Sequence, residues 1–163
     1  MKQLVVLSGK GGTGKTSLVA AFSHLAATRP GSDGQREALR LILVDDDHTI
    51  LDVVSEALQD AGHKVDIFDN GADAITAIEK NTYDVVITDL GMPEVTGWDV
   101  ARAAKMHQPK LPVLVISGWG AQYGGGNLGD TGVDAVLAKP FHLKQLRETV
   151  EELSGTHAEA PRA

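Results

Sequence analysis

Five short apolar runs, separated by stretches of helical periodicity, constrain this chain more than any other feature. They are Leu41-Ile42-Leu43-Val44, Val65-Asp66-Ile67-Phe68, Asp84-Val85-Val86-Ile87-Thr88, Pro112 to Ile116 and Ala135-Val136-Leu137-Ala138. Strands that are apolar along most of their length are buried on both faces, which points to a parallel sheet covered by helices. Ile50, Leu51, Val53, Val54, Ala57 and Leu58 recur at helical spacing, and Gly62 supplies a stop. Further helices are expected over Ala72 to Lys80, over Trp98 to His107 before Pro109, and from about Leu143 to Leu153. Crossovers should be right-handed. One crossover stands apart. Gly124, Gly125, Gly126 and Gly129 lie in it, and each glycine costs a helix about 1 kcal/mol relative to alanine. That segment is expected to be short, irregular or mobile.

Composition narrows the chemistry. The 163 residues contain no cysteine, which excludes disulfides, thiol catalysis and cysteine-held metals. The net charge is −7, and it is uneven. Residues 1–38 carry five Lys/Arg against two Asp/Glu, whereas residues 39–163 carry ten against twenty. An acidic body with 4% aromatic residues is a poor nucleic-acid binder. The six histidines show no metal-ligand spacing. No apolar run approaches a membrane span, and the N-terminus lacks a signal-peptide pattern. The expected location is the cytoplasm, with no membrane and no nucleic-acid partner.

Chemistry-bearing residues gather where strands end. Asp45 and Asp46 follow the first of the five runs, Asp89 the third, Ser117 the fourth and Lys139 the fifth. Open parallel sheets bind ligands beyond the carboxyl ends of their strands. Converging carboxylates raise one another's pKa unless a cation joins them, and hard oxygen donors with room for water suit Mg²⁺. With such an ion in place, one carboxylate can attack phosphorus and form an aspartyl phosphate. Lys139 supplies positive charge and Ser117 a hydroxyl for the moving oxygens. Asp47 reads as a solvated loop residue.

Residues from about Leu39 to Leu153 resemble the receiver domain of two-component response regulators. The likeness rests on Leu43-Val44-Asp45-Asp46-Asp47, on Asp84 to Pro93 with the following Gly97, on Pro112 to Gly118, and on Ala138-Lys139-Pro140-Phe141. The resemblance implies a flavodoxin-like, doubly wound α/β fold with strand order 2-1-3-4-5. It implies that Asp89 accepts a phosphoryl group from a sensor histidine kinase or phosphotransfer protein. Asp46, Asp89 and the main-chain carbonyl of Gly91 would hold Mg²⁺, with Asp45 helping through water. Ser117 would bind a phosphoryl oxygen and Lys139 would pair with Asp89 or its phosphate. The Lys139-Pro140 bond is cis in such domains. The chain would then be a switch acting on a downstream protein partner, with no output domain of its own, rather than an enzyme.

Three departures from the family pattern carry expectations. Val136 stands where many receivers have a switch aromatic, which puts the usual serine–aromatic coupling in doubt. Gly91 and Trp119 stand where polar side chains often align the hydrolytic water, so self-dephosphorylation should be slow. The glycine-rich crossover lies where the signalling face normally has a helix.

The first 28 residues read differently. Leu4 to Leu7 form a short strand run leading into Gly9-Lys10-Gly11-Gly12-Thr13-Gly14-Lys15-Thr16. This satisfies the phosphate-loop pattern between a strand and a helix. Glycines turn N–H groups toward phosphate, Lys15 would reach the β/γ-phosphates, and the Thr16 hydroxyl would reach Mg²⁺. Lys10 makes the loop resemble the deviant Walker A motif of chromosome-partitioning and septum-placement ATPases. Residues 1–28 are thus an extra strand–P-loop–helix unit, 29–38 a linker, 39–153 the receiver and 154–163 a polar tail. The alternative function is a P-loop protein binding ATP beside an incidental acidic pocket. ATPase activity is not expected, because the strands and switch region such enzymes need are missing from the sequence. The unit's strand could add in parallel to an edge of the receiver sheet.

Overall fold

The computed structural model describes residues 5–6, 38–118 and 131–158. Eleven elements are placed among them. They are β1 (Val5–Val6), β2 (Arg40–Val44), α1 (His48–Asp60), β3 (Lys64–Phe68), α2 (Gly71–Lys80), β4 (Val85–Asp89), α3 (Gly97–His107), β5 (Val113–Ser117), β6 (Ala135–Ala138), β7 (Phe141–His142) and α4 (Leu143–Ala158). Five strands form one parallel sheet in the order β3-β2-β4-β5-β6. Counted from β2, that is the expected order 2-1-3-4-5.

Period-two alternation assigns each strand residue to a layer. Leu41 and Leu43 join Ile50, Val54 and Leu58 of α1 and Leu146 and Val150 of α4 on one face. Ile42 and Val44 join Ala74 and Ile78 of α2 and Val100 and Ala104 of α3 on the other. All five residues of β4 and of β5 are buried, as strands at the centre of a doubly covered sheet must be. Removing such side chains from water is the main stabilising term.

The helices start at side-chain caps. Asp47 accepts from the Thr49 N–H at 2.9 Å, and Asn70 from the Asp73 N–H at 2.8 Å. Thr96 and Asp99 form a reciprocal capping box. Gly62, just past the end of α1, has φ +95°, a conformation that favours glycine. The final helix runs on to Ala158, five residues past the expected Leu153. Its extra turn includes Ser154, whose hydroxyl donates to the Glu151 carbonyl at 2.9 Å. Adding a turn to a nucleated helix needs no apolar stripe, so the hydrophobic pattern ended before the helix did.

The N-terminal strand does not add in parallel to the five-stranded sheet. Val5 and Val6 pair antiparallel with His142 and Phe141 in a separate two-stranded sheet. β7 lies beyond the Lys139-Pro140 turn and outside the main sheet, and an antiparallel partner there needs no crossover. The phosphate loop Gly9 to Thr16, its helix, nearly all of the linker, the glycine-rich crossover with Trp119, and residues 159–163 lie outside the described residues. Among the described residues no helix is long and apolar enough to cross a membrane.

A polar clasp closes the amino-terminal end of the sheet. The Tyr83 hydroxyl donates to Asp66 Oδ2 at 2.8 Å, and the Arg40 guanidinium pairs with the same oxygen at 3.1 Å. The Arg40 guanidinium also lies 5.0 Å from the Tyr83 ring centroid. Burial, the hydrogen bond to Asp66 and the Asp66 charge push the Tyr83 phenol up to about 12, against an opposing effect of Arg40. The fold therefore favours the neutral phenol. Its contribution to stability is present below pH about 10 and is lost as pH rises toward 12. In a Tyr123→Phe background, where Tyr83 is the remaining tyrosine, ultraviolet titration should show phenolate forming near pH 12. Adding Asp66→Asn should move that midpoint toward the ordinary value, and a midpoint that ignores Asp66 contradicts the clasp.

Candidate functional site

The sheet delivers the predicted residues to one end. Asp45 directly follows β2, Asp89 ends β4, Ser117 ends β5 and Lys139 directly follows β6. Register aligns them: Asp89 is opposite Ile116, and Ser117 is opposite Ala138. The Lys139 N–H donates to the Ser117 carbonyl at 2.9 Å, continuing the ladder. Lys139-Pro140 is a cis peptide, as the resemblance implied.

Asp45, Asp89 and Ser117 are 1%, 6% and 2% exposed, and the Lys139 side chain is 8% exposed. Long cationic side chains are seldom buried without partners. Here the Lys139 ammonium lies 3.0 Å from Asp89 Oδ1 and 3.5 Å from Asp45 Oδ2. The other Asp89 oxygen, Oδ2, accepts the Gly91 N–H at 3.0 Å. Asp45 Oδ1 accepts the Asp47 N–H at 2.8 Å. Asp47 is thus more than a solvated loop residue: it caps α1 with its side chain and braces Asp45 with its backbone. Thr88, buried beside the site, donates its hydroxyl to the Asp89 carbonyl at 3.0 Å. The backbone brace has no linear signature, whereas an aspartate just before a helix is a capping signal.

One carboxylate oxygen from each of Asp45, Asp46 and Asp89 falls within 4.8 Å of the others. Among the described residues, three carboxylates face one ammonium. Burial, with smaller contributions from the Asp89 and Asp46 charges, raises Asp45 to about 6 against the opposing pull of Lys139 and the Asp47 N–H. Burial also opposes the Lys139 charge, but Asp45 and Asp89 outweigh it and the net direction is upward. Asp45 Oδ2 is buried and makes no hydrogen bond. A buried carboxylate oxygen in that state is costly. A divalent cation with oxygen preference would satisfy it, and exposed Asp46 leaves one side open to water. The donor set therefore fits Mg²⁺.

The structure brings together Asp45, Asp46, Asp89 and Lys139, with Ser117 on the neighbouring strand end and Gly91 on the loop after Asp89. Gly9, Lys10, Gly11, Gly12, Gly14, Lys15 and Thr16 lie outside the described residues. Val136 is half-buried against the α2/α3 layer.

Comparison with known proteins gives the family. The response regulator receiver domain family matches residues 41–151, and the chain belongs to that family. It is 36% identical over 115 residues to the response regulator receiver protein CpdR of Brucella abortus, covering 70% of this chain and 95% of CpdR. It is 30% identical over 121 residues to the transcriptional regulatory protein TcrA of Mycobacterium tuberculosis, covering 74% of this chain. There it spans about half of the relative, 48% of its length. Among solved structures, the response regulator TrrA of Thermotoga maritima, in complex with Mg(2+)-BeF, superposes with a TM-score of 0.63 at 27% identity, over 71% of this chain and 98% of TrrA. The glycine-rich loop at Gly9 to Thr16 lies outside the family match.

The Asp45 charge has a stability consequence in metal-free protein. A folded-state pKa of about 6 means stability is lost as pH rises from the usual carboxylate value through 6. Asp45→Asn mimics the protonated form and keeps an acceptor for the Asp47 N–H. Without metal it should be roughly 1–3 kcal/mol more stable than the parent at pH 8. The gap should shrink at pH 5. Urea denaturation at both pH values checks this, and an equal gap at both contradicts it.

Proposed function

We propose that the chain is a phosphorylation-controlled switch in which Asp89 is the phospho-acceptor. The observation that carries this is the buried Asp89–Lys139 pair at 3.0 Å, set within a three-carboxylate cluster at the strand ends. The donor would be a phosphohistidine on a sensor kinase or phosphotransfer protein in the cytoplasm. An Asp89 oxygen forms the new bond to phosphorus as the bond from phosphorus to the donor's imidazole nitrogen breaks. The imidazole leaves with that electron pair and takes up a proton.

Asp45, Asp46, Asp89 and the Gly91 carbonyl would hold Mg²⁺, which would supply charge neutralisation for the phosphoryl oxygens. Lys139 orients Asp89 before transfer and offers its ammonium to a phosphoryl oxygen afterwards. Ser117 offers its hydroxyl to another. Because Lys139 is tied to Ser117 through the backbone and to Phe141 two residues on, a change of its partner reaches β6, β7 and α4. Partner proteins would read that change.

Phosphoryl incorporation from a small phosphodonor, measured by intact mass, tests this reading. The parent should be modified only with Mg²⁺, Asp89→Asn should not be modified, and Lys139→Ala should be modified without retaining the downstream response. Incorporation that persists in Asp89→Asn overturns the assignment.

The lifetime of the phosphoryl group is a separate expectation. Gly91 is exposed and brings no side chain to align a water. Decay followed after donor removal should take minutes or longer. A lifetime of seconds contradicts it.

A further inference from the structure

Helix α2 meets the loop that carries the site where there is no room for a side chain. A methyl group at Gly71 would lie 2.6 Å from Val95 Cγ1 and 2.9 Å from both Val95 Cβ and the Val95 carbonyl oxygen. Such approaches are sterically forbidden, so an alanine there must displace the loop. Val95 belongs to the segment that joins Asp89, at the end of β4, to Gly97, at the start of α3. The far end of that segment is equally tight. A methyl group at Gly97 would overlap the Asp89 carbonyl oxygen and lie 2.9 Å from Leu90 Cα. The Gly97 N–H donates to the Leu90 carbonyl at 3.2 Å.

Between these two approaches the backbone is strained. Glu94 has φ +64°, and the Val95 N–H donates across it to the Pro93 carbonyl at 2.7 Å. A three-residue turn about a non-glycine residue with positive φ is rare and persists only when its surroundings hold it. Glycine is also a poorer helix former than alanine by about 1 kcal/mol. Local helix preference therefore does not explain Gly71 in α2, but the space it leaves for Val95 does.

We propose that Gly71, on a helix that supplies no ligand, is a positioning residue for the divalent-cation site. By admitting Val95 it seats the Asp89–Gly97 loop so that Asp89 and Gly91 face Asp45 and Asp46. This inference rests on the reading of the pocket as a Mg²⁺-dependent phospho-acceptor site.

Calorimetric Mg²⁺ titration of the metal-free full chain tests it, with urea unfolding of each variant as the control for folding. Gly71→Ala should bind Mg²⁺ about tenfold more weakly, the scale of outer-shell substitutions. Gly155→Ala, where an added methyl meets nothing within 4 Å, should bind like the parent. Adding Val95→Ala to Gly71→Ala removes the nearest overlap and should recover part of the loss. A merely structural role would lower stability and leave Mg²⁺ affinity alone. Gly71→Ala that unfolds cooperatively and binds Mg²⁺ like the parent therefore overturns the proposal. If Gly71→Ala does not fold, Val95→Ala alone decides: weakened binding in a folded protein supports the proposal, and unchanged binding overturns it. A parent that binds no Mg²⁺ overturns the reading of the pocket, and this inference with it.

Discussion

The Lys139 ammonium, held between Asp89 and Asp45 in a nearly closed pocket, is the interaction on which the site depends. Its position is set from behind. β6 carries the chain to Lys139, the backbone bond to Ser117 extends the ladder, and Phe141 is 1% exposed in the α1/α4 layer. Core packing therefore aims the charge. Breaking a buried ion pair by removing one partner leaves an uncompensated charge and typically costs about 3–5 kcal/mol. Among the described residues, one cation here still does not balance three anions. The pocket stays short of positive charge, and that deficit makes it a place where a divalent ion, and then a phosphoryl group, can be held.

The same deficit sets stability against function. Asp45 would be easier to bury as a neutral amide, and its Oδ2, 3.5 Å from the Lys139 ammonium, makes no hydrogen bond. Glu94 would be easier to place with a negative φ. Both features lie just past the carboxyl ends of strands, while the central strands behind them, β4 and β5, are buried along their whole length. Destabilised groups held in place by a well-packed scaffold are a common arrangement at functional sites. The loop from Asp89 to Gly97 shows how the scaffold does this: one close contact with α2, one with the backbone of Asp89, and a strained turn between them.

Much of this was legible in the sequence because the residues involved obey local rules. The runs at Leu41, Val85 and Pro112 announce buried strands, and Gly62 announces a helix end. The residues that follow the strands, Asp45, Asp89, Ser117 and Lys139, then fall together because parallel strands all end on the same side. Other features depend on contacts between distant segments. Nothing around Gly71 names Val95 as its neighbour, and nothing around Tyr83 names Asp66 and Arg40. Asp47 looked like a spare acid because its work is split between a cap and a backbone donor. Val5 and Val6 were recognisable as a strand, but their antiparallel partner at β7 was not, since a two-residue strand after a turn leaves no periodicity. The end of α4 escaped for the same kind of reason, because its last turn is polar.

Unfolding of the parent protein as a function of Mg²⁺ tests the central claim most directly, with NaCl at matched ionic strength as the reference. If the pocket is short of positive charge by design, Mg²⁺ stabilises the fold beyond the salt control, and the gain grows by about 1.4 kcal/mol per tenfold increase in Mg²⁺ once the site is filled. Asp89→Asn should lose most of that gain. Equal stabilisation by Mg²⁺ and NaCl would contradict the account, because the three carboxylates would then be balanced without the ion.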